Sequence, residues 1–453
     1  MPDRVVLLSV PGLREGDLTR MPRLQALTAG GDRAPLVPST PAVTCPVQVN
    51  LTTGALPGEH GVVANGLYWR DGRGEHEGVE MWTAWNDAVL CPQLWDRLKE
   101  HDGSLTSAVW FPMLAKGCGA DFVCTPAPIH NPDGSESLWC YTKPEAMYGD
   151  LRDALGHFPL QHFWGPLAGI QGSRWIVDSL VWLWGRERPN LAYCYLPHLD
   201  YAAQKDGPDS AGAHAACGEL DAEIGRLVDG VAAAAGDGAP LWLVASEYAI
   251  APVSRVAYPN RVLREAGLLE VKLDADGRER IDFAASRAWT LVDHQTGHVF
   301  VRDREPAGVA AAADALRGVE GIESVWDAEE QRRQGVWHSE RSADLLLVSD
   351  PDAWQAYYYW NDDALAPRFA RAVDIHRKPG FDPVEMFWRP DLAQEHNGGG
   401  VPLDATLVRG SHGAPARTAA QRGVVLSSRR GVFVEQPMAD IDVFETVLRQ
   451  FGV

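Results

Sequence analysis

The stretch that decides the fold is residues 191–200, which reads LAYCYLPHLD. Six apolar or aromatic residues in a row, with no polar alternation, are typical of a strand that is covered on both faces, as in a parallel sheet. Polar side chains begin as soon as the run ends. A helical pattern precedes the stretch at about Ser173–Trp184, and another follows at about Ala213–Ala235. The order helix, strand, helix is typical of α/β proteins.

The same alternation recurs through the first half of the chain. Further strands are predicted at Val5–Val10, Leu105–Trp110 and Leu241–Ala245, and a further helix at Met21–Ala29. Continuous apolar strands separated by helices predict an α/β fold, namely a doubly wound, mainly parallel sheet flanked by helices.

The middle of the chain has a different pattern and predicts a small α+β cap inserted into this core. The cap contains predicted strands at Val299–Arg302, Glu323–Trp326 and Asp344–Val348 and a helix at Val309–Arg317. The chain then returns to the core with strands at Val424–Ser428 and Gly431–Glu435 and a helix at Asp440–Phe451. We therefore expect residues 1–250 to form the first part of the core, 251–364 the cap, and 365–453 the second part of the core.

The composition excludes several classes of protein. The 453 residues carry 41 Lys+Arg against 61 Asp+Glu, a net charge of −20, which disfavours nucleic acid and anionic membranes as partners. No apolar run approaches the ~20 residues of a membrane span, and the apolar start is too short for a signal peptide. The seven cysteines are scattered and include no Cys-x-x-Cys pair. We expect reduced thiols and a cytoplasmic protein.

Candidate functional residues follow the predicted strands or begin the helices. Ligands of open α/β sheets bind at the carboxyl ends of the strands, where this chain places Asp200, Glu247 and His412. Thr44 precedes Pro46 at a predicted helix start, where backbone N–H groups favour an anion. Taken singly, these are an ordinary cap, two turn acids and a loop histidine. Together, a hydroxyl, two acids and an imidazole predict a metal-assisted site.

Two segments carry a family resemblance. Residues 38–46 read PSTPAVTCP and residues 53–65 read TGALPGEHGVVAN. They resemble the nucleophile segment and the Gly-x-x-Pro-x-x-His-Gly signature of the alkaline phosphatase superfamily, in its nucleotide pyrophosphatase/phosphodiesterase branch. The resemblance implies an alkaline phosphatase-like core. It also implies that Thr44 attacks phosphorus to give a covalent phosphothreonine, that Asn65 binds a phosphoryl oxygen, and that two divalent cations, usually zinc, assist.

The ligand set of that family is only partly present. Of the seven positions that the resemblance implies, Thr44, Asp200 and His412 are unchanged, Glu247 stands for an aspartate, Gln204 and Tyr248 stand for histidines, and Pro11 stands for an aspartate. Two cations close together need anionic ligands, and the usual three carboxylates are reduced to two. We expect one divalent cation, zinc, rather than two. Asp200, His412 and the Gln204 carbonyl would hold it, and Glu247 with Thr44 would form a weaker second site.

Other polar segments offer substrate contacts. In the loop at residues 374–380, His376 is a candidate base, replacement ligand or substrate contact, and Lys378 a candidate anion contact; a solvated loop is equally compatible with this sequence. We expect the insert and this loop to form the substrate pocket. Residues 293–298 read DHQTGH and are expected to face the substrate rather than a metal. His198 is expected to be packed or hydrogen-bonded, and the aromatic run at 354–360 to lie in a core or domain seam.

Two hypotheses remain. The first is a metal-dependent phosphoric ester hydrolase of the phosphodiesterase/pyrophosphatase type, with a threonine nucleophile and a small phosphorylated metabolite or nucleotide as substrate. The second is a repurposed, metal-poor member of the fold in a biosynthetic pathway, which catalyses another group transfer or only binds a phosphorylated metabolite. Motifs of P-loop NTPases, nicotinamide dehydrogenases and serine esterases are missing from the sequence. The oligomeric state is left open.

Overall fold

A nine-stranded sheet forms the centre of the protein, in a computed structural model that describes residues 4–73, 78–131, 136–235, 238–396 and 398–453. Five neighbouring strands are parallel, and antiparallel pairs occur towards both edges. In spatial order the strands are Met438–Ala439, Arg33–Val37, Gly423–Ser427, Leu241–Ala245, Val5–Ser9, Leu191–Tyr195, Ser107–Trp110, Phe122–Pro126 and Cys140–Lys143.

Helices cover both faces of this sheet, and the apolar strand residues divide between two cores. Val6 and Leu8 face the first core, whereas Val5 and Leu7 face the second, because successive side chains of a strand point to opposite faces. Helices Pro22–Thr28, Met147–Leu155, Ile170–Glu187 and Ala211–Ala235 line the first face, and Thr44–Thr53, Leu94–His101 and Asp442–Phe451 line the second. The predicted doubly wound α/β fold is confirmed.

The insert has its own sheet and core. Its four strands pair antiparallel in the order Ala288–Asp293, Thr296–Val301, Leu345–Ser349, Ile322–Trp326, and its helices are Pro259–Glu265, Pro306–Leu316 and Ala328–Arg333. The aromatic residues of the run at 354–360 are buried in this core, as expected from the sequence. A short strand pair, Ala251–Pro252 with Gly410–Ser411, connects the insert to the second part of the core, and Arg255–Ala257 pairs with Ala353–Gln355 within the insert.

The remaining elements are short. The further strand pairs are Gly66–Tyr68 with Val79–Met81, Ile129–His130 with Glu136–Ser137, and Val271–Leu273 with Glu279–Ile281; the other α-helices are Pro57–His60, His198–Asp206 and Pro390–Glu395. Single turns of 3₁₀ helix lie at Glu15–Arg20, Asn86–Ala88, Leu160–His162, Arg302–Arg304, Asp363–Leu365, Arg368–Arg371, Pro383–Phe387, Ala405–Leu407 and Ala419–Gln421. Within the described ranges, no helix has the length and apolar character needed to cross a membrane.

The structure corrects one predicted element and adds several, of which the strand Arg33–Val37 is instructive. Gly431–Glu435 is not a strand, and the chain joins the sheet edge only at Met438–Ala439. Arg33–Val37 is a strand that the apolar pattern does not indicate, because its residues alternate between exposed and buried and include Pro35. Both segments lie at the antiparallel edge, where strands need not be apolar throughout.

Candidate active site

Thr44 begins a buried helix at the carboxyl edge of the sheet. It is the first residue of helix Thr44–Thr53, and its side chain is buried. The backbone N–H of Cys45 donates to Oδ1 of Asn65 at 2.8 Å, so Asn65 satisfies one N–H group that the helix leaves free at its start. The predicted nucleophile and the predicted phosphoryl contact are therefore held together at a helix N-terminus, where an anion is favoured.

Tyr248 joins Thr44 to two other predicted site residues. Its hydroxyl lies 3.0 Å from Thr44 Oγ1 and 3.5 Å from Asp200 Oδ1. Its ring stacks on the His412 imidazole, with centroids 3.5 Å apart and an angle of 6° between the planes. Thr44, Asp200 and His412, which come from three distant parts of the chain, thus surround one side chain.

Asp200 and Gln204 occupy one face of helix His198–Asp206, since they are four residues apart. Gln204 Nε2 donates to Asp200 Oδ2 at 2.8 Å. Gly410 lets the segment that carries His412 approach this helix, because a Cβ at position 410 would lie 2.1 Å from the Ala203 carbonyl oxygen. The sequence Gly410-Ser411-His412-Gly413 therefore brings an imidazole beside the Asp200 helix.

His412 has the arrangement of a ligand histidine. Its Nδ1 lies 2.8 Å from the Ala42 carbonyl oxygen and therefore carries the hydrogen, while Nε2 is buried with no hydrogen-bond partner among the described residues. Burial lowers the pKa of His412 well below its usual value, so the imidazole is neutral. A neutral imidazole whose other nitrogen is fixed by a carbonyl is the usual form of a metal-bound histidine.

Glu247 is held between strand Val5–Ser9 and the helix of Thr44. Its Oε1 accepts hydrogen bonds from Ser9 Oγ at 2.7 Å and Gln48 Nε2 at 2.8 Å. Burial raises the pKa of Glu247 to about 8 and that of Asp200 to about 7. In the absence of a cation, both carboxyl groups are therefore held partly protonated near neutral pH.

Three buried polar atoms of the predicted ligand set, Gln204 Oε1, His412 Nε2 and Glu247 Oε2, have no hydrogen-bond partner among the described residues. Within the described ranges, no three His, Cys, Asp and Glu side chains are arranged to hold a metal ion. Around Asp200, however, the Gln204 Oε1 and His412 Nε2 atoms are buried without a partner, which suits an oxygen–nitrogen ligand set with an open position. Around Thr44, the tyrosine hydroxyl is already in contact, and Pro11 offers no side-chain donor.

A hairpin of the insert supplies residues that the sequence did not assign. Asp293 accepts from the backbone N–H and the Nδ2 of Asn65, both at 2.9 Å. His294 has a positive φ of 59°, and its ring lies between those of Phe381 and His412, with centroid distances of 3.7 and 3.9 Å. The segment 293–298 thus reaches the site. The sequence indicated this only through the expectation that the segment faces the substrate.

The insert and the loop at 374–380 enclose a cavity of about 400 Å³. Its lining includes Arg280, Tyr359 and Phe369 from one side and His376 and Arg377 from the other. This cavity does not include Thr44. The predicted nucleophile therefore lies in the cluster around Tyr248, and the cavity is a separate space whose lining also contains Asp274 and Asp276.

The two basic residues predicted to contact the substrate, Lys378 and His376, both have partners within the protein. Lys378 Nζ lies 2.8 Å from Asp382 Oδ2 and 2.6 Å from Glu385 Oε1, and its side chain is 0% exposed. Lys378 is thus paired with two carboxyl groups, and it also belongs to the lining of the cavity, so its contact with an anionic substrate stays a prediction. His376 Nδ1 lies 2.8 Å from the Met81 carbonyl oxygen, at the cavity and outside the Thr44 cluster.

Two further expectations concern His198 and the cysteines. His198 is buried and bonded to Glu219 at 2.8 Å, which confirms that it is a hydrogen-bonded histidine. The seven cysteines are free thiols.

The chain belongs to a family of phosphodiesterases. A family model described as Type I phosphodiesterase / nucleotide pyrophosphatase matches residues 5–382. A curated relative, an uncharacterized pyrophosphatase/phosphodiesterase of Schizosaccharomyces pombe, is 24% identical over 242 residues. The match covers 50% of this chain and 40% of that relative.

Two solved structures share the fold over nearly the whole chain. Phosphonoacetate hydrolase from Sinorhizobium meliloti is 16% identical with a TM-score of 0.61, covering 98% of this chain and 95% of that one. Murine ectonucleotide pyrophosphatase / phosphodiesterase 5, solved as an inactive threonine-to-alanine variant with AMP, is 15% identical with a TM-score of 0.62, covering 99% and 95%. The alkaline phosphatase-like fold that the resemblance implies is confirmed.

Proposed function

We propose that the protein hydrolyses a phosphodiester or pyrophosphate bond in a small phosphorylated metabolite or nucleotide, with Thr44 as the nucleophile. The observation that carries this proposal is the contact of one side chain, Tyr248, with Thr44, Asp200 and His412. The relative solved with AMP as an inactive threonine variant supports the same reading of Thr44 and of the substrate class.

The proposed reaction has two steps. The Thr44 oxygen bonds to phosphorus while the bond to the leaving oxygen breaks, and the threonine proton ends on that leaving oxygen. Water then cleaves the phosphothreonine, which restores the hydroxyl and releases the phosphoryl group. The helix N-terminus at Thr44 stabilises negative charge on the phosphoryl oxygens throughout.

Asn65 is positioned for the role that the resemblance gave it. Its Oδ1 accepts from Cys45 N–H, and one Nδ2 hydrogen goes to Asp293 Oδ1. An amide nitrogen carries two hydrogens, so the second is available to a phosphoryl oxygen. The two hydrogen bonds from Asn65 to Asp293 fix the direction in which the second Nδ2 hydrogen points.

We include a single divalent cation, zinc, in the proposal. Asp200, Gln204 Oε1 and His412 Nε2 would hold it, and a bound cation would withdraw charge from the phosphoryl group. The neighbouring cavity, with Arg280 and aromatic side chains, would take the remainder of the substrate. We also propose a cytoplasmic location, supported by the seven free thiols.

The nucleophile is tested with Thr44→Ala, assayed on bis-p-nitrophenyl phosphate and on dinucleotide pyrophosphates. We expect a loss of about 10³-fold or more in kcat. Thr44→Ser keeps a hydroxyl and should retain measurable turnover. The matched control is Thr28→Ala, because Thr28 is also buried but its hydroxyl donates only to the Leu24 carbonyl.

The alternative is tested in the same preparation. Binding of inorganic phosphate or AMP without turnover of any ester would favour the binding-only protein. That outcome would contradict the proposed hydrolase.

A further inference from the structure

The structure shows a phenol hydroxyl where the resemblance implies a second cation. The sequence predicts only Thr44 and Glu247 as donors for that second site, and it places Pro11 and Tyr248 at two other positions where the resemblance implies ligands. Pro11 lacks a ligating side chain, and Glu247 Oε1 is bound by Ser9 and Gln48, which leaves only its Oε2 without a partner among the described residues. The Tyr248 hydroxyl contacts Thr44 Oγ1 directly. We infer that Tyr248 takes the place of that cation and is a catalytic residue, which holds the nucleophilic oxygen of Thr44 by a hydrogen bond. This inference rests on the proposed role of Thr44.

The position of Tyr248 is fixed from three sides. Its backbone carbonyl accepts the Gly12 N–H at 3.0 Å and the Ser246 hydroxyl at 2.9 Å. Its ring lies flat on His412, and the residue is 1% exposed. The hydroxyl therefore cannot swing into solvent without disturbing the end of strand Leu241–Ala245 and the His412 stack.

The space between Thr44 and Asp200 is filled by this hydroxyl. A zinc ion binds oxygen ligands at about 2.0–2.2 Å, so a second ion held by Thr44 and Glu247 would lie directly against Thr44 Oγ1. The phenol oxygen of Tyr248 already lies 3.0 Å from Thr44 Oγ1, on the side that faces Asp200 Oδ1 at 3.5 Å. An ion on that side of Thr44 would have to displace the ring from the His412 stack.

The hydrogen-bond direction suits a nucleophile. The Tyr248 hydroxyl donates to Asp200 Oδ1, so the phenol oxygen is left to accept from Thr44. Thr44 then donates its hydrogen to Tyr248, and the lone pairs of Oγ1 remain free to face phosphorus. Orientation of a reacting oxygen in this way raises the rate of the chemical step rather than the affinity for substrate.

The experiment measures bound ions and kinetics in the full-length, untagged protein. Zinc per chain is measured by elemental analysis after incubation with excess Zn²⁺ and desalting, in wild type, Tyr248→Phe and Tyr357→Phe. Tyr357 is the matched control, since it is a fully buried tyrosine whose hydroxyl has no partner within the described chain.

We expect no more than one zinc per chain in wild type and the same number in Tyr248→Phe, because Phe removes the hydroxyl but leaves the ring that fills the space. We expect kcat to fall about 10- to 100-fold in Tyr248→Phe with KM within about threefold, and Tyr357→Phe to behave as wild type. Two zinc ions per wild-type chain, or an unchanged kcat in Tyr248→Phe, would overturn the inference.

The ion count separates this inference from the proposed function. It is measured without turnover, so a wild-type protein with no esterase activity and two ions would refute both proposals. An inactive protein with one ion or none would refute the hydrolase and the catalytic role of Tyr248, and it would support only the absence of a second ion.

Discussion

At the scale of single residues, His60 has a structural role within the signature segment. The Val62 N–H donates to His60 Nδ1 at 3.1 Å, so Nε2 carries the hydrogen that reaches Asn50 Oδ1 at 2.7 Å. Asn50 in turn donates to Asp440 at 2.7 Å. The histidine thus ties the helix of Thr44 to the C-terminal part of the chain, and it does so in the neutral form.

The protonation of His60 gives a pH prediction. Burial lowers its pKa to about 3 from an ordinary value of 6.5, so between these values the unfolded chain binds a proton that the folded chain does not. The contribution of the neutral, buried His60 to the free energy of unfolding is complete above pH 6.5. It is lost as the pH falls towards 3. We expect His60→Gln to be less stable than wild type at pH 7, with a shallower decline in its unfolding free energy between pH 6.5 and 3. An unchanged slope would contradict the assignment; His101→Gln, at an exposed helix end, is the control.

Lys378 gives a stability prediction. Its ammonium is buried between Asp382 and Glu385, and removing it leaves two carboxyl groups without their cation. We expect Lys378→Met to lower the free energy of unfolding by about 3–5 kcal/mol, measured by urea denaturation. Arg333→Met removes an exposed ion pair with Glu329 and should change it by less than about 1 kcal/mol. Equal decreases in the free energy of unfolding of the two variants would show that the buried ion pairs of Lys378 contribute little to stability.

At the scale of elements, the hairpin of strands Ala288–Asp293 and Thr296–Val301 links the insert to the site. Its turn presents Asp293 to Asn65, and the Gln295 N–H donates to the His412 carbonyl at 2.8 Å. The insert is therefore part of the site as well as a cover for it.

Removal of the Asp293 carboxylate should break both hydrogen bonds that hold Asn65 in place. We expect Asp293→Ala to lower kcat about 10- to 100-fold while the zinc content stays at the wild-type value, since Asp293 is outside the proposed ligand set. Steady-state kinetics and elemental analysis measure the two quantities. Asp314→Ala, on an exposed face of helix Pro306–Leu316, is the control, and a comparable fall there would point to general damage of the insert.

The elements and the contiguous motif were predictable from the sequence, but several contacts between them were not. Thr44 and Asn65 lie in one segment, so their pairing through the Cys45 N–H could be anticipated from the resemblance. Tyr248 is 204 residues from Thr44, and Asp293 is 228 residues from Asn65. Local patterns contain no information on such pairs, which arise only when the sheet and the insert are packed. Tyr248 was judged from the sequence as a weak ligand, whereas the structure shows it as a direct partner of the threonine.

At the scale of the whole molecule, the net charge of −20 acts against an anionic substrate. Salt screens this repulsion, because the Debye length falls from about 30 Å at 10 mM to about 8 Å at 150 mM ionic strength. We expect kcat/KM to rise about twofold or more with NaCl over this range, and more for a pyrophosphate than for a singly charged diester. A fall with salt for both substrates would show that the cations of the cavity control association.

The order of strands in the central sheet has a consequence for biosynthesis. Gly423–Ser427 lies between Arg33–Val37 and Leu241–Ala245, and helix Asp442–Phe451 packs beside the helix of Thr44 in the same core. A ribosome releases these segments only after residues 1–422 have been made, so two strand edges stay open during that part of translation. We expect the nascent chain to depend on chaperones until then, and premature termination before residue 423 to yield an inactive product.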